Sequence, residues 1–176
     1  MKFEFRDWQK RFYFPDAVYF VTFYTKSRYP FFRERIFADL FVENLQFCKK
    51  LKGCLLFGWV LCYEHAHLLL QPNNIWNISD VIHSLKRHIS RNMNILIDSI
   101  SESADSYPHF QGEDLCCFFP KFKWQKSFYD HYIRNDRDFD CHMEYIADNP
   151  FKHGLLSDWP YVYTNSKYDD LTNDYI

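Results

Sequence analysis

The sequence predicts an α+β fold, a mainly antiparallel sheet with helices packed on it, and three observations lead there. Runs of β-branched and aromatic residues at 16–32 and 55–72 have the composition and length of strands. Two longer segments, 37–51 and 77–97, repeat their apolar residues at the spacing of a helix face. The two kinds of element follow one another in a mixed order, not in the clean alternation that marks a parallel α/β sheet.

The elements are justified in chain order. In DAVYFVTFYTKSRYPFF (16–32), Val18, Phe20, Thr22 and Tyr24 alternate with Tyr19, Val21 and Phe23, and Arg28 and Pro30 stop the strand. FADLFVENLQFCKKL (37–51) puts Phe37, Leu40, Phe41, Asn44, Leu45, Cys48 and Leu51 on one helical stripe. Lys49, Lys50 and Lys52 follow near its C-terminal end, where they complement the helix dipole. LLFGWVLCYE and HAHLLLQP (55–72) read as one or two strands ending at Pro72. NISDVIHSLKRHISRNMNILI (77–97) has Asn77 or Ser79 as its N-cap and Ile82, Leu85, Ile89, Met93 and Leu96 as its buried stripe. His83, Lys86, Arg87, Ser90, Arg91 and Asn94 fall on its outer faces. Residues 98–120 read as a loop or insertion whose centre, LCCFF, packs back on the body. A helix follows at about 136–148, capped by Asp136 and broken beside Asn149 by Pro150. The acidic tail at 169–176 frays. A ferredoxin-like arrangement fits this order of elements.

With 47% apolar and 21% aromatic residues, 176 residues suffice for one substantial core. No repeat or linker divides the chain, so 1–176 reads as one domain. Four glycines, with no GxGxxG or GxxxxGKS/T pattern, argue against a Gly-rich phosphate loop. Twenty-one basic against 23 acidic residues give no overall basic excess for nucleic acid, which leaves a local patch open. The six cysteines contain no CxxC pair and sit mostly in apolar surroundings, as reduced thiols do. The N-terminus MKFEFRDWQKRF has no apolar leader and no segment approaches a membrane span. The expectation is a soluble cytoplasmic protein with no membrane partner.

The chemistry begins at YEHAHLLLQP (63–72). On a strand His65 and His67 share a face, with Glu64, Ala66 and Leu68 on the other, so two imidazoles stand roughly 6–7 Å apart and can converge on an ion. The spacing alone is a weak signal, and a hydrogen-bonded core role is the commoner one. A second segment adds to it. His142, Tyr145 and Asn149 recur at i, i+3 and i+7 along one helix face. An amide oxygen from Asn149 suits Mg2+ or Mn2+, and a phenol beside such an ion is a competent nucleophile toward a phosphodiester. Tyr132 and Asp136 have the same spacing as Tyr145 and Asn149, so the residues alone leave both tyrosines open, as well as an ordinary core role for either.

The two halves together resemble the REP-associated tyrosine transposases, relatives of the single-tyrosine HUH transposases of small insertion sequences. The resemblance covers nearly the whole chain. AVYFVTFYTKSRYPFF is similar to the family's first strand and turn, VLCYEHAHLLLQP to its histidine–hydrophobic–histidine strand, and ISDVIHSLKRHISRNMN to its next helix. The strongest match is KWQKSFYDHYIRNDRDFDCHMEYIADNPFKHGLLSDWP, with a Trp-Gln segment, a nucleophile helix and an Asn-Pro-x-Lys-His-Gly ending. The resemblance implies a ferredoxin-like, RRM-like fold, metal-binding His65 and His67, and Tyr145 as nucleophile in preference to Tyr132 and Tyr129. It also implies a third ligand at Asn149, a Mg2+ or Mn2+ cofactor, and cleavage and rejoining of single-stranded DNA near hairpins through a 5′-phosphotyrosine. His142 is a candidate to orient Tyr145 or accept its proton, or to pack; Glu64 is a structural or supporting residue. The chain would act as a monomer or homodimer.

For DNA contacts, Lys86, Arg87 and Arg91 form the clearest basic patch, against the plain reading of a solvated helix face. Lys121, Lys123, Trp124, Gln125 and Lys126 combine phosphate-binding charge with a ring for base stacking, although Trp124 serves equally as a core anchor. The acidic net charge and tail and the length of 98–120 depart from the family pattern and bear on DNA affinity and target. Two other readings stay open: a domesticated, non-catalytic nucleic-acid-binding module of this fold, and a metal-dependent hydrolase using water.

Overall fold

The computed structural model describes residues 13–106, 119–155 and 158–165. Among the described residues, five strands form one antiparallel sheet: β1 (Tyr19–Tyr24), β2 (Leu55–Leu61), β3 (His65–Gln71), β4 (Tyr129–Tyr132) and β5 (Val162–Thr164), in the order β4-β1-β3-β2-β5. The helices are α1 (Arg35–Lys52), α2 (Ile78–Ser106) and α3 (Asp136–Lys152). The succession β1-α1-β2-β3-α2-β4 with strand order 4-1-3-2 is the ferredoxin-like arrangement, to which α3 and β5 are added.

The alternation of each strand decides what lies on either face. Tyr19, Val21 and Phe23 of β1, Trp59 and Leu61 of β2, and Ala66, Leu68 and Leu70 of β3 join one core with Phe37, Phe41 and Leu45 of α1 and Ile82, Leu85, Ile89 and Met93 of α2. The opposite face carries a smaller core of Phe57, Val60, Cys62 and Leu69 with Phe139 and Ile146 of α3. Between Leu56 and Gly58 the pairing shifts by a bulge, which puts Phe57 on the α3 side and keeps Leu56 with the larger core. Gly58 lies directly under α3. A Cβ there would stand 3.1 Å from Met143 Sδ and 3.3 Å from Ile146 Cδ1 and from the Tyr163 carbonyl oxygen, so the missing side chain lets helix and sheet close up.

Several boundaries differ from those expected. β1 is shorter than the apolar run, which bends into two 3-10 turns at Lys26–Arg28 and Phe31–Arg33. Residues 98–106, expected as irregular, continue α2, because Ile97 and Ile100 still meet the core although Ser and Asp predominate around them. Most of the remaining stretch to 120, and the tail at 169–176, lie outside the described residues. Of the LCCFF centre only Phe119 is described, and its ring packs on Phe37 at 4.9 Å. Leu51 is exposed, not buried. Asn77 caps α2 reciprocally with Asp80, while the Ser79 hydroxyl bonds to Tyr13. The cap of α3 is Asn135 rather than Asp136, its side chain accepting from the Asp138 N–H at 3.0 Å. Pro150 does not break α3. It removes one N–H in the last turn only, and the His153 N–H still reaches the Asn149 carbonyl at 3.1 Å.

Candidate active site

The β2–β3 hairpin turns through Tyr63 and Glu64, which sets Cys62 opposite His65; the Cys62 N–H donates to the His65 carbonyl at 2.8 Å. One step along, Val60 faces His67, so Val60, Cys62, His65 and His67 share the α3 side of the sheet. From β1, Thr22 pairs with His67 and Tyr24 with His65. Both imidazoles are buried, 1% and 3% exposed, and their rings lie 4.9 Å apart.

Burial fixes their protonation. Desolvation lowers the His65 pKa to about 4, against the opposing pull of the Glu64 carboxylate, and lowers that of His67 to about 3, with His65 adding to it. Both rings are therefore neutral at pH 7, with a lone pair to give. Glu64 precedes β3 and, instead of turning away, reaches back so that its Oε1 accepts from His65 Nδ1 at 3.1 Å. With the ring neutral this is a hydrogen bond that leaves the lone pair on Nε2. His67 Nδ1 is 2.7 Å from Thr22 Oγ1, and Nε2 is buried with no hydrogen-bond partner among the described residues.

α3 and the residue that follows it bring further side chains to this pair. The Tyr145 ring meets His67 edge-on at 5.2 Å and Phe20 at 5.7 Å, and Lys152 Nζ sits 4.8 Å from its centroid. Tyr145 keeps 36% of its surface exposed. Asn149 is fully buried, with Oδ1 accepting from Cys62 Sγ at 2.9 Å and Nδ2 unpartnered. His153, the residue after α3, brings its ring to 4.7 Å from His65. One turn before Tyr145, His142 donates from Nδ1 to the Asp138 carbonyl at 2.7 Å and stacks on His131 at 4.8 Å. Asp138 accepts from His131 Nε2 at 2.9 Å. Opposed by desolvation, this bond and the Arg134 N–H hold its carboxyl below the ordinary range. Tyr132 stands on the other face of the sheet, beside Tyr19, and Tyr129 is on the edge strand β4.

These residues fit a divalent ion. Two neutral imidazoles converge, and the buried polar atoms left without a partner include His67 Nε2 and one end of the Asn149 amide. A half-turn of that amide makes Nδ2 the donor to Cys62 Sγ and turns Oδ1 to the unpartnered position, which is what a hard cation requires. Sequence reasoning singled out His65, His67, Tyr145 and Asn149, and the fold brings all four together. It missed Thr22, Cys62 and His153. Cys62 is legible only once the hairpin register is known; His153 stood in the quoted Asn-Pro-x-Lys-His-Gly ending, one turn after Asn149.

The model of the family described as "Transposase IS200 like" matches residues 14–149. The chain belongs to this family. Among curated relatives, a Haemophilus influenzae protein named "Putative REP-associated tyrosine transposase" is 32% identical over 102 residues, 56% of this chain and 52% of the relative. The REP-associated tyrosine transposase of Escherichia coli is 49% identical over 41 residues, 22% of this chain and 25% of the relative. The chain thus spans about half or less of the curated relatives it matches. A similar fold occurs in a solved REP-associated tyrosine transposase bound to a REP hairpin, with a TM-score of 0.65 and 22% identity, covering 87% of this chain and 79% of that one. Among the described residues, no helix is long and apolar enough to cross a membrane.

The expected DNA-contacting residues of this transposase-family chain divide. Lys86 is not on an outer face. It is 8% exposed, and its ammonium donates to the carbonyls of Gln125 at 2.8 Å and Ser127 at 3.1 Å, which answers the charge that burial would otherwise strand. Arg87 and Arg91 are exposed, but α2 lies on the face of the sheet away from the histidines. Trp124 is a core anchor, its ring 4.9 Å from both Phe23 and Phe122. Gln125 extends the sheet edge through its N–H to the Tyr24 carbonyl, while Lys121, Lys123 and Lys126 are exposed. Gln125, Lys126 and Ser127 line a cleft with Thr22, Tyr24 and Tyr129, next to the His67 anchor.

Proposed function

We propose that this chain is a metal-dependent, single-tyrosine DNA-nicking transposase that cuts and rejoins single-stranded DNA near hairpins. The observation that carries the reading is the Tyr145 ring, about a third exposed, set edge-on against a neutral, buried His67 whose Nε2 has no hydrogen-bond partner among the described residues. His65, His67 and Asn149 would hold Mg2+ or Mn2+, with Glu64 and Thr22 orienting the imidazoles. An ion held there would supply positive charge to polarise the scissile phosphate and offset the charge that develops on it. The Tyr145 phenol gives up its proton to solvent as its oxygen forms the new P–O bond, the bond to the 3′ oxygen breaks, and that oxygen takes up a proton from solvent as it leaves. The product is a 5′-phosphotyrosine and a free 3′-OH, so the phosphodiester energy is retained and the reverse attack rejoins the strand. Phe20 and Lys152 hold the Tyr145 ring in place, and His142, anchored through Asp138, buttresses the turn before it.

DNA as substrate is supported by family membership and by the hairpin-bound protein of similar fold. Lys126, which lines the cleft at Thr22 and Tyr24, is the better placed phosphate contact, with exposed Lys123 three residues before it. The test is incubation with labelled hairpin DNA and Mn2+ followed by denaturing gels. A covalent adduct that disappears in Tyr145→Phe is expected. Cleavage surviving Tyr145→Phe would make water the nucleophile, and binding with no cleavage of any hairpin would make the chain a binding module.

A further inference from the structure

Cys62 has no part in the chemistry above, yet it sits against the same centre. Cys62 Sγ, a ring nitrogen of His65 and a ring nitrogen of His153 all lie within 4.8 Å of one another. Two of the three residues are buried, at 1% each, and the third is the exposed residue that ends α3. Bond lengths of about 2.0–2.3 Å around a tetrahedral zinc place its ligands roughly 3.5 Å apart, so closing the set takes little more than about an ångström. The exposed His153 can supply most of that movement.

We propose that Cys62, His65 and His153 form a thiolate–imidazole site for Zn2+ that overlaps the hard-ion site and excludes it. The donor set decides the selectivity: sulfur and imidazole suit Zn2+, whereas Mg2+ and Mn2+ prefer the Asn149 oxygen. His65 decides the exclusion. Its Nδ1 is engaged by Glu64, so only Nε2 remains and it serves one ion at a time. Binding transfers the Cys62 thiol proton to solvent as the Zn–S bond forms and breaks the Sγ–H contact to Asn149 Oδ1. The Cys62 sulfur is a hydrogen-bond donor to Asn149 until a metal ion displaces its proton. His67 Nε2, buried and unpartnered on the same sheet face, is available as a fourth ligand. The consequence is an enzyme inhibited by zinc. That consequence rests on the metal-dependent reading above, while the site itself does not.

The test uses Co2+ as a spectroscopic stand-in for Zn2+, on the full chain with no DNA present. A thiolate-to-cobalt charge-transfer band is expected, and its loss in Cys62→Ser would assign it, since serine keeps the bond to Asn149 and other cysteines remain. His153→Ala, at an exposed position, should weaken Zn2+ by about tenfold or more, because losing even a supporting group commonly costs that much. Circular dichroism of both variants checks that each is folded. In a Mn2+-loaded sample, Zn2+ should release free Mn2+, read by its electron paramagnetic resonance signal. Cobalt bound without a thiolate band, or Zn2+ affinity unchanged in a folded His153→Ala, overturns the site. Zn2+ and Mn2+ bound together overturn the exclusion. A failed DNA adduct assay alongside a thiolate band would remove the nicking function and leave the site standing.

Discussion

Thr22 shows how much depends on one hydroxyl. Among the described residues its Oγ1 is the one side-chain hydrogen-bond partner of the His67 ring, and without it the ring can turn away from the face it shares with His65. Thr22→Val keeps the shape and removes the bond. Mn2+ affinity, measured by calorimetry, should fall about 10–100-fold, the usual effect of removing such a support; an unchanged affinity would mean that packing against Phe20 alone fixes the ring. The two imidazoles also make stability depend on pH. Their folded pKa values, about 4 and about 3, lie below the unfolded 6.5, so below pH 6.5 the unfolded chain binds protons that the folded one refuses. Stability is full above pH 6.5 and falls as the pH drops through about 4 and about 3. Melting temperatures of the metal-free protein should show this slope, flattened in the His65→Gln, His67→Gln double variant. Equal slopes in both proteins would show that other groups drive the acid transition.

At the level of elements, the site is a seam between α3 and the β2–β3 hairpin, and Gly58 sets its width. Gly58→Ala places a methyl against Met143, Ile146 and the Tyr163 carbonyl. The methionine can yield, but the carbonyl belongs to β5 and Ile146 is fully buried. A loss of about 1–3 kcal/mol is expected from denaturant melts, as for other overpacked sites. Adduct formation should fall further than stability, since the displaced helix carries Tyr145. Full activity in a destabilised variant would show that the helix position is not critical. Much of this level was legible in sequence. The stripes of α1 and α2 and the shared face of His142, Tyr145 and Asn149 follow from periodicity alone. The bulge at Phe57 and the continuation of α2 to Ser106 did not, because both are settled by tertiary packing that local composition opposes.

Across the molecule, the sheet divides labour: α1 and α2 supply the large core on one face, and the other face is given to α3 and the site. This division is what the sequence could not reveal about charge. Lys86, Arg87 and Arg91 look alike on a helical wheel, yet the first is buried against carbonyls some forty residues away and the others point from the helical layer. Trp124 was ambiguous for the same reason, since its aromatic neighbours come from β1, α1 and the turn at Phe32. The faces predict an unequal response. Lys126→Ala should weaken hairpin DNA binding and lower its salt dependence, with Arg87→Ala and Arg91→Ala much milder by fluorescence anisotropy. The reverse ranking would move the DNA path to the helical layer.

The two bonds from Lys86 have a consequence in chemical reactivity. Its amine is sheltered by the segment it holds, and that segment forms one wall of the cleft beside His67. An acylating reagent therefore reaches this lysine only when the wall lifts, while Lys123 and Lys126 on the same stretch stay accessible throughout. The rate at which Lys86 is labelled counts openings of that cleft from the opposite side of the sheet.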